Sequence, residues 1–357
     1  MPDQPGQLAC LLTLLDTLAR VARQMHPRRL VQLASALDGP EAVLRAATSP
    51  MDAAPYPVRE QLDLAVTLAL ETCSRLRAAA QGLDMGQAYR AMRPYSRALE
   101  ALFPLAEILP TASRYYLEPS RRGDPELLAR LAAPPAPDTG VFHAGNETGE
   151  RGGFSVYVPS WYDAARPMPV IMALHGGSGH GRLFLWNWVP EARARGMIVI
   201  APTAIGSTWS LMQPETDSRN LARILDRVRD RWAVDPAHLL LTGMSDGGTF
   251  TLLSGVSADS PFTHLAPVAA TFHPLLLAIA DPQRLTGLPV YLVHGALDWM
   301  FPVEVARTAH RTLAAAGAAV TYREIADLSH AYPRDEQAAM LDWFMADSNT
   351  QTTSFLG

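Results

Sequence analysis

Three residues able to share an acyl-transfer reaction, Ser245, Asp298 and His330, each follow a short apolar run of this chain. The run His238-Leu239-Leu240-Leu241-Thr242 ends in Gly243-Met244-Ser245-Asp246-Gly247 and continues as Gly248-Thr249-Phe250-Thr251-Leu252-Leu253. This reads as strand, sharp turn and helix with a serine at the bend, where strained backbone presents the hydroxyl as a nucleophile. The flanking glycines have a steric reason, since a Cβ at either position would crowd the turn or the neighbouring strand. A chance Gly-x-Ser-x-Gly occurs in about one chain in ten of this length, so the strand before it and the helix after it carry the reading.

A serine hydroxyl needs a base to take its proton, and the base needs a third group to fix its tautomer. Pro289-Val290-Tyr291-Leu292-Val293 is a second apolar strand, and His294-Gly295-Ala296-Leu297-Asp298 after it puts Asp298 in a loop. Ala319 to Ile325 forms a third, followed by Ala326-Asp327-Leu328-Ser329-His330 and a helix expected from about Asp335 to Met345. Asp298 is therefore the expected acid and His330 the expected base. Asp327 and Glu324 are the competing acids, but Asp327 lies on the same loop as His330, a poor position for orienting its ring.

Acyl transfer also creates an oxyanion that preorganised N–H donors must meet. One donor is expected from the amide of Asp246. The other is expected from the loop after Pro169-Val170-Ile171-Met172-Ala173-Leu174, where His175-Gly176-Gly177-Ser178-Gly179-His180 follows. The Gly177 amide is the choice, with Gly176 second. A phosphate cradle is the competing reading of this loop, yet neither a Walker lysine nor Gly-x-Gly-x-x-Gly is present.

In this order, separated by strands and helices, Leu174-His175-Gly176-Gly177, Gly243 to Gly248, His294 to Asp298 and Ser329-His330 resemble the α/β-hydrolase superfamily. Phe154 to Pro159, Met197 to Pro202, Trp209 and Trp232-Ala233-Val234-Asp235-Pro236 are similar to two of its branches. These are the polyhydroxybutyrate depolymerase and feruloyl esterase group, and the phospholipase/carboxylesterase group. The resemblance spans residues 140 to 347, roughly, and implies an α/β fold: a mostly parallel sheet with helices on both faces, and antiparallel strands near 141 to 158. It implies a serine carboxylic-ester hydrolase working through an acyl-enzyme on a small-molecule or polymeric ester, with no cofactor. The same triad serves thioesterases and peptidases, and a catalytically silent ligand-binding protein on this fold is the alternative from another class. Extracellular members of the first branch usually carry a signal peptide and often disulfides. This sequence departs on both counts, which argues against secreted polymer degradation.

Composition bounds the reading further. The 357 residues are 48% hydrophobic, enough for a large core, and they suggest two domains. The net charge of −5 lies mostly in the later part, so no nucleic-acid footprint is expected. No lysine occurs, which excludes a lysine Schiff base or base. Cys10 and Cys73 are expected reduced and structural, and no His-Glu-x-x-His or Cys-x-x-Cys supports a metal site. The start lacks a basic segment before its apolar run and Asp16 interrupts Leu11 to Leu18, so neither a signal peptide nor a membrane span fits, and the cytoplasm is the expected compartment. His175, His180, His273 and His294 are expected to order loops or line a pocket.

Residues 1–135 are expected to form a helical N-terminal domain and 136–357 the catalytic domain. Leu62, Val66, Ala69, Cys73 and Leu76 follow helical spacing, while Leu62, Leu64, Val66, Leu68 and Leu70 alternate as in a strand; the alanine-rich continuation favours helix. Prolines 50 to 57, Pro104 and Pro110 punctuate the helices, and Pro134-Pro135-Ala136-Pro137 reads as the linker. Three roles compete for this domain: a cap over the site, an oligomerisation surface, or a packing partner. Phe103, Tyr115 and Tyr116 would line a capped pocket or serve as core. Trp209 and Trp299 lie in loops at the carboxyl edge of the expected sheet, where they would face substrate or serve as large buried hydrophobes, whereas Trp186 and Trp188 fit packing.

Overall fold

The computed structural model describes residues 6–47 and 56–346. It divides into two compact units, the first ending at Gly123 and the second beginning at Asp124.

In the first unit every element is helical, with Gln7–Arg23 and Tyr56–Gly82 the longest. Leu11, Leu14, Leu15 and Leu18 are buried along one face of the first, and Leu62, Ala65, Ala69, Cys73 and Leu76 along one face of the second. Leu64 is exposed while Leu62 and Leu68 are buried, which the strand alternation would not produce. Met85–Ala91 begins at Asp84, whose carboxylate accepts the Gln87 N–H at 2.9 Å. Pro104 and Pro110 fall in first turns, where the missing N–H costs nothing. Pro50 and Pro55 lie outside the described residues. Phe103 and Tyr116 pack edge to face at 5.0 Å, both buried, with the Tyr116 hydroxyl donating to the Leu99 carbonyl. They are core residues of this unit. Cys10 and Cys73 are buried free thiols.

The second unit opens with helix Pro125–Leu131, capped by Asp124, and the Arg130 guanidinium lies over the Trp161 ring at 5.6 Å. The Ala136 N–H donates to the Ser160 carbonyl at 2.7 Å, so the proline-rich run is tied into this unit. The division between units thus falls before the run read as a linker. The sheet comprises β1 (Gly140–Ala144), β2 (Phe154–Val158), β3 (Met168–Leu174), β4 (Ile198–Pro202), β5 (Val234–Met244), β6 (His264–Val268), β7 (Pro289–Gly295) and β8 (Ala319–Ile325). Their spatial order is β1-β2-β4-β3-β5-β6-β7-β8. Pairs β1/β2 and β2/β4 are antiparallel and all others parallel. β2, β4 and β6 are buried at every position, the pattern of a sheet covered on both faces.

From β3 the chain steps to one side to form β4, then crosses to the other side to form β5. This reversal leaves a crevice at the carboxyl ends of β3 and β5, the place where open α/β sheets bind ligands. The glycine-rich loop and the serine turn leave the sheet there.

Candidate active site

β5 ends at Met244, and helix Asp246–Gly255 starts at the next residue but one, leaving Ser245 alone to reverse the chain. Its backbone has φ 56 and ψ −121, a conformation costly for a residue with a Cβ. Two packing facts hold it. The Ser245 N–H donates to the Val268 carbonyl at 2.9 Å, and the flanking glycines let strand and helix approach. A Cβ at Gly243 would sit 2.4 Å from the Gly247 carbonyl oxygen, and one at Gly247 2.5 Å from the carbonyl oxygens of Leu174 and His175. Both glycines are thus required by contact rather than by flexibility.

His330 and Asp298 arrive on adjacent loops after β8 and β7. Those loops are tied together, because the Ala296 N–H donates to the Ile325 carbonyl and the Leu297 N–H to the Leu328 carbonyl, each at 2.9 Å. The result is one continuous chain of hydrogen bonds. His330 Nε2 lies 3.0 Å from Ser245 Oγ, and His330 Nδ1 lies 2.8 Å from Asp298 Oδ2. All three side chains are buried. The other oxygen of Asp298 accepts the Met300 and Phe301 N–H groups at 2.9 and 2.8 Å, which fixes the carboxylate plane. Burial alone would raise the Asp298 carboxyl, but the His330 hydrogen bond and charge outweigh it and hold the group below its ordinary range. The competing acids are placed elsewhere. Glu324 binds Arg307 and the Tyr322 hydroxyl, and Asp327 is exposed.

A second histidine touches the same carboxylate. Buried His294 has Nε2 2.8 Å from the Phe301 carbonyl oxygen and 3.4 Å from Asp298 Oδ2. Burial depresses its basicity, so at neutral pH it contributes an N–H dipole. The sequence suggests that His294 orders a loop or lines a pocket, and only the fold shows it beside Asp298.

The loop after β3 runs beside the serine. A Cβ on Gly176 would be 3.6 Å from Ser245 Cβ, and one on Gly177 would be 2.8 Å from Asp246 Oδ2. The amides of Gly177 and Asp246 donate no hydrogen bond among the described residues. His175 anchors this loop from below. Its Nε2 accepts the Ala204 N–H at 3.1 Å, so Nδ1 carries the proton and donates to the Gly176 carbonyl at 2.7 Å. Burial lowers its pKa to about 3, keeping the ring neutral. His180 caps helix Gly181–Phe184 through the Arg182 N–H, and His273 is exposed.

The two tryptophans expected at the substrate edge differ. Trp299 is 38% exposed next to Asp298. Trp209 is 2% exposed and belongs to the core, stacked on Phe250 at 5.3 Å, with its indole N–H donated to the His175 carbonyl at 2.7 Å. The expectation that Trp209 faces substrate is corrected: its ring is more stable packed on the elbow helix, and its one polar atom is satisfied there. Trp186 and Trp188 are buried, as packing required. Among the described residues no group of three or more His, Cys, Asp or Glu side chains is placed to hold a metal ion.

Comparison with known proteins places this geometry in context. Residues 216–346 match the family model described as phospholipase/carboxylesterase. The bifunctional acetylxylan esterase/xylanase XynS20E of Neocallimastix patriciarum is 28% identical over 148 residues, which are 40% of this chain and 21% of that protein. The chain therefore spans about a fifth of that relative's length. A thermostable esterase of known structure is similar with a TM-score of 0.46 at 18% identity, covering 57% of this chain and 62% of that one. Esterase PE8 gives 0.44 at 21% identity, covering 55% and 99%. Residues 216–346, the stretch that holds Ser245, Asp298 and His330, are thus similar to the phospholipase/carboxylesterase family of α/β-hydrolases.

Proposed function

We propose that this protein hydrolyses carboxylic esters through an acyl-enzyme formed on Ser245. The observation that carries the proposal is the unbroken hydrogen-bonded chain from Ser245 Oγ through His330 to Asp298, built on a strained turn. Ser245 Oγ attacks the ester carbonyl carbon while its proton passes to His330 Nε2. Asp298 keeps the Nδ1 proton directed at itself and stabilises the imidazolium. The oxyanion accepts the Gly177 and Asp246 N–H groups, with Gly176 the second choice for the first donor. Collapse breaks the bond to the alcohol, which leaves with the proton held on His330 Nε2. Water then repeats the sequence on the acyl-enzyme and releases the acid and the free serine. Trp299, partly exposed beside the acid, supplies an aromatic wall for the acyl or alcohol group.

The test is hydrolysis of nitrophenyl esters from acetate to dodecanoate, with Ser245→Ala as control and fluorophosphonate labelling alongside. The expected result is turnover and covalent labelling that both vanish in Ser245→Ala, a loss of about 10⁶-fold when a nucleophile acts within a triad. The acetyl esterase activity in the name of the fungal relative makes the acetate ester the first to try. In the same series Trp299→Ala is expected to raise KM about threefold for the aryl esters, from lost contact with one partly exposed ring. Ester turnover that survives in Ser245→Ala would overturn the assignment, and labelling without ester turnover would move the substrate to thioesters or amides.

A further inference from the structure

The segment after β4, residues 203 to 211, has no periodic signal, yet it touches both halves of the crevice. It is held at two points by one side chain. Asp217, in the first turn of helix Glu215–Arg229 and fully buried, accepts the Ile205 N–H at 3.0 Å and the Ser210 N–H at 2.8 Å. The Asp217 N–H donates in return to Ser210 Oγ at 3.1 Å. Between those points two adjacent residues reach outward. Thr208 Oγ1 donates to Asp246 Oδ2 at 2.6 Å, on the first residue of the elbow helix. Trp209 Nε1 donates to the carbonyl of His175 at 2.7 Å, immediately before Gly176 and Gly177. The Trp209 ring also stacks on Phe250 of the elbow helix and lies 4.9 Å from the His175 ring.

We propose that Thr208 and Trp209 act as a two-residue clamp that holds the β3 loop and the elbow helix in register, making Thr208 a positioning residue for the pair of oxyanion donors. The inference rests on the reading of Ser245 as nucleophile. Its physical basis is that the two N–H groups lie beyond the last paired residues of β3 and β5, Leu174 and Gly243, so the ladder between the strands does not by itself fix their separation. The Gly177 backbone lies against Asp246 Oδ2 so closely that a Cβ there would be at 2.8 Å. The carboxylate is thus the contact surface between the two halves, and the Thr208 hydroxyl fixes where it sits. Without that hydroxyl the carboxylate is free to rotate and to move the glycine loop. Because the oxyanion forms only in the transition state, misplaced donors weaken kcat while leaving ground-state binding intact.

The experiment is steady-state ester hydrolysis by Thr208→Val, which keeps the shape and removes the donor, beside Thr208→Ser, which keeps the donor. Thr208→Val is expected to lower kcat about tenfold, less than outright loss of an oxyanion donor, with KM changed by less than about twofold. Thr208→Ser is expected to recover most of that loss. The rate of fluorophosphonate labelling is expected to follow kcat, since phosphonylation develops charge in the same place. Thermal unfolding of each variant separates misfolding from mispositioning, and Trp209→Phe, which removes the indole donor while keeping an aromatic ring beside Phe250, supplies a second variant should Thr208→Val not fold. If Thr208→Val and Trp209→Phe hydrolyse esters as the parent does while Ser245→Ala is dead, the clamp is wrong and the nucleophile assignment stands. Activity persisting in Ser245→Ala would remove the reading on which the clamp rests. A rise in KM alone would also overturn it, because that is the signature of a substrate wall.

Discussion

Each unit of this protein buries a carboxylate among hydrogen-bond donors, and the partners make the two clusters behave differently. In the helical unit Glu41 is bound by Arg77 and Arg45, with Asp38 sharing Arg77. In the α/β unit Asp298 is bound by His330, the Met300 and Phe301 amides and, more distantly, His294. Burial pushes both carboxyls up and their partners pull both below the ordinary range. The guanidinium never gives up its proton, so the Glu41 cluster is a fixed tie between helices. An imidazole can accept at one nitrogen while it donates from the other, so the Asp298 cluster has a side chain that joins the carboxylate to Ser245. The potential nucleophiles follow the same division. Beside Glu41, burial pushes the Cys73 thiol up to about 12, with the Glu41 charge adding to it, which leaves it unreactive. Ser245, beside His330, has a base within reach. A buried anion and a nearby nucleophile are common to both clusters; the proposed function rests on the imidazole that links them in the second.

The comparison is broken or upheld most sharply by neutralising the two acids in parallel. Asp298→Asn is expected to leave the fold in place and cut kcat about 10⁴-fold, because the amide favours the wrong histidine tautomer. Glu41→Gln is expected to leave kcat per folded molecule unchanged and cost about 1–3 kcal/mol of stability, between exposed and buried ion-pair values. Urea unfolding and ester kinetics on both variants read the contrast, and an inactive but stable Glu41→Gln protein would end it. The Glu41 cluster also has a pH signature. Its contribution is full above the ordinary glutamate value of about 4.3 and is lost as the pH falls through the lower folded value, and Glu41→Gln is expected to remove that acid limb.

A smaller effect sharpens the comparison within the α/β unit. His175 is neutral when folded, with a pKa near 3 set by burial, whereas in the unfolded chain it takes a proton near its usual value of 6.5. Between those values the unfolded state binds more protons, so acid destabilises the fold by up to about 1.4 kcal/mol per pH unit through this one group. Stability is full above 6.5 and declines as the pH falls toward 3. His175→Gln is expected to flatten that decline, read as urea midpoints at pH 7 and 5. An unchanged slope would show that His175 is protonated in the native state and is not the fixed Nδ1–H donor described here.

The chemistry-bearing loops were legible because each obeys a local rule. Ser245 sits where an apolar strand meets a helix between two glycines, and Asp298 and His330 each follow a strand in chain order, so local patterns named them as candidates, with Asp327 and Glu324 as the competing acids. The helical unit was legible for the same reason, through the spacing of Leu62, Val66, Ala69, Cys73 and Leu76, of which Val66 is half-buried and the rest buried. Trp209 stayed open between substrate wall and core because its position after β4 is shared by both kinds of residue, and the sequence does not say which way a loop side chain turns. The division between units was read at the proline-rich run, but Arg130 on Trp161 and the Ala136 to Ser160 bond belong to the α/β unit and carry no local signal.

By itself, then, the sequence determined the element types, the order of serine, acid and histidine, and the need for glycine at positions 243 and 247, all of which depend on periodicity and on sterics between near neighbours. Only the tertiary structure decided that Asp298 rather than Glu324 meets His330, that His294 backs the same carboxylate, and that Asp217, Thr208 and Trp209 join the two sides of the crevice. The physical reason is distance along the chain for the bonds from Asp298 to His330 and from Thr208 and Trp209 to Asp246 and His175, which exist only once the sheet order has brought the strand ends together; His294, four residues before Asp298, meets it through the course of the loop after β7.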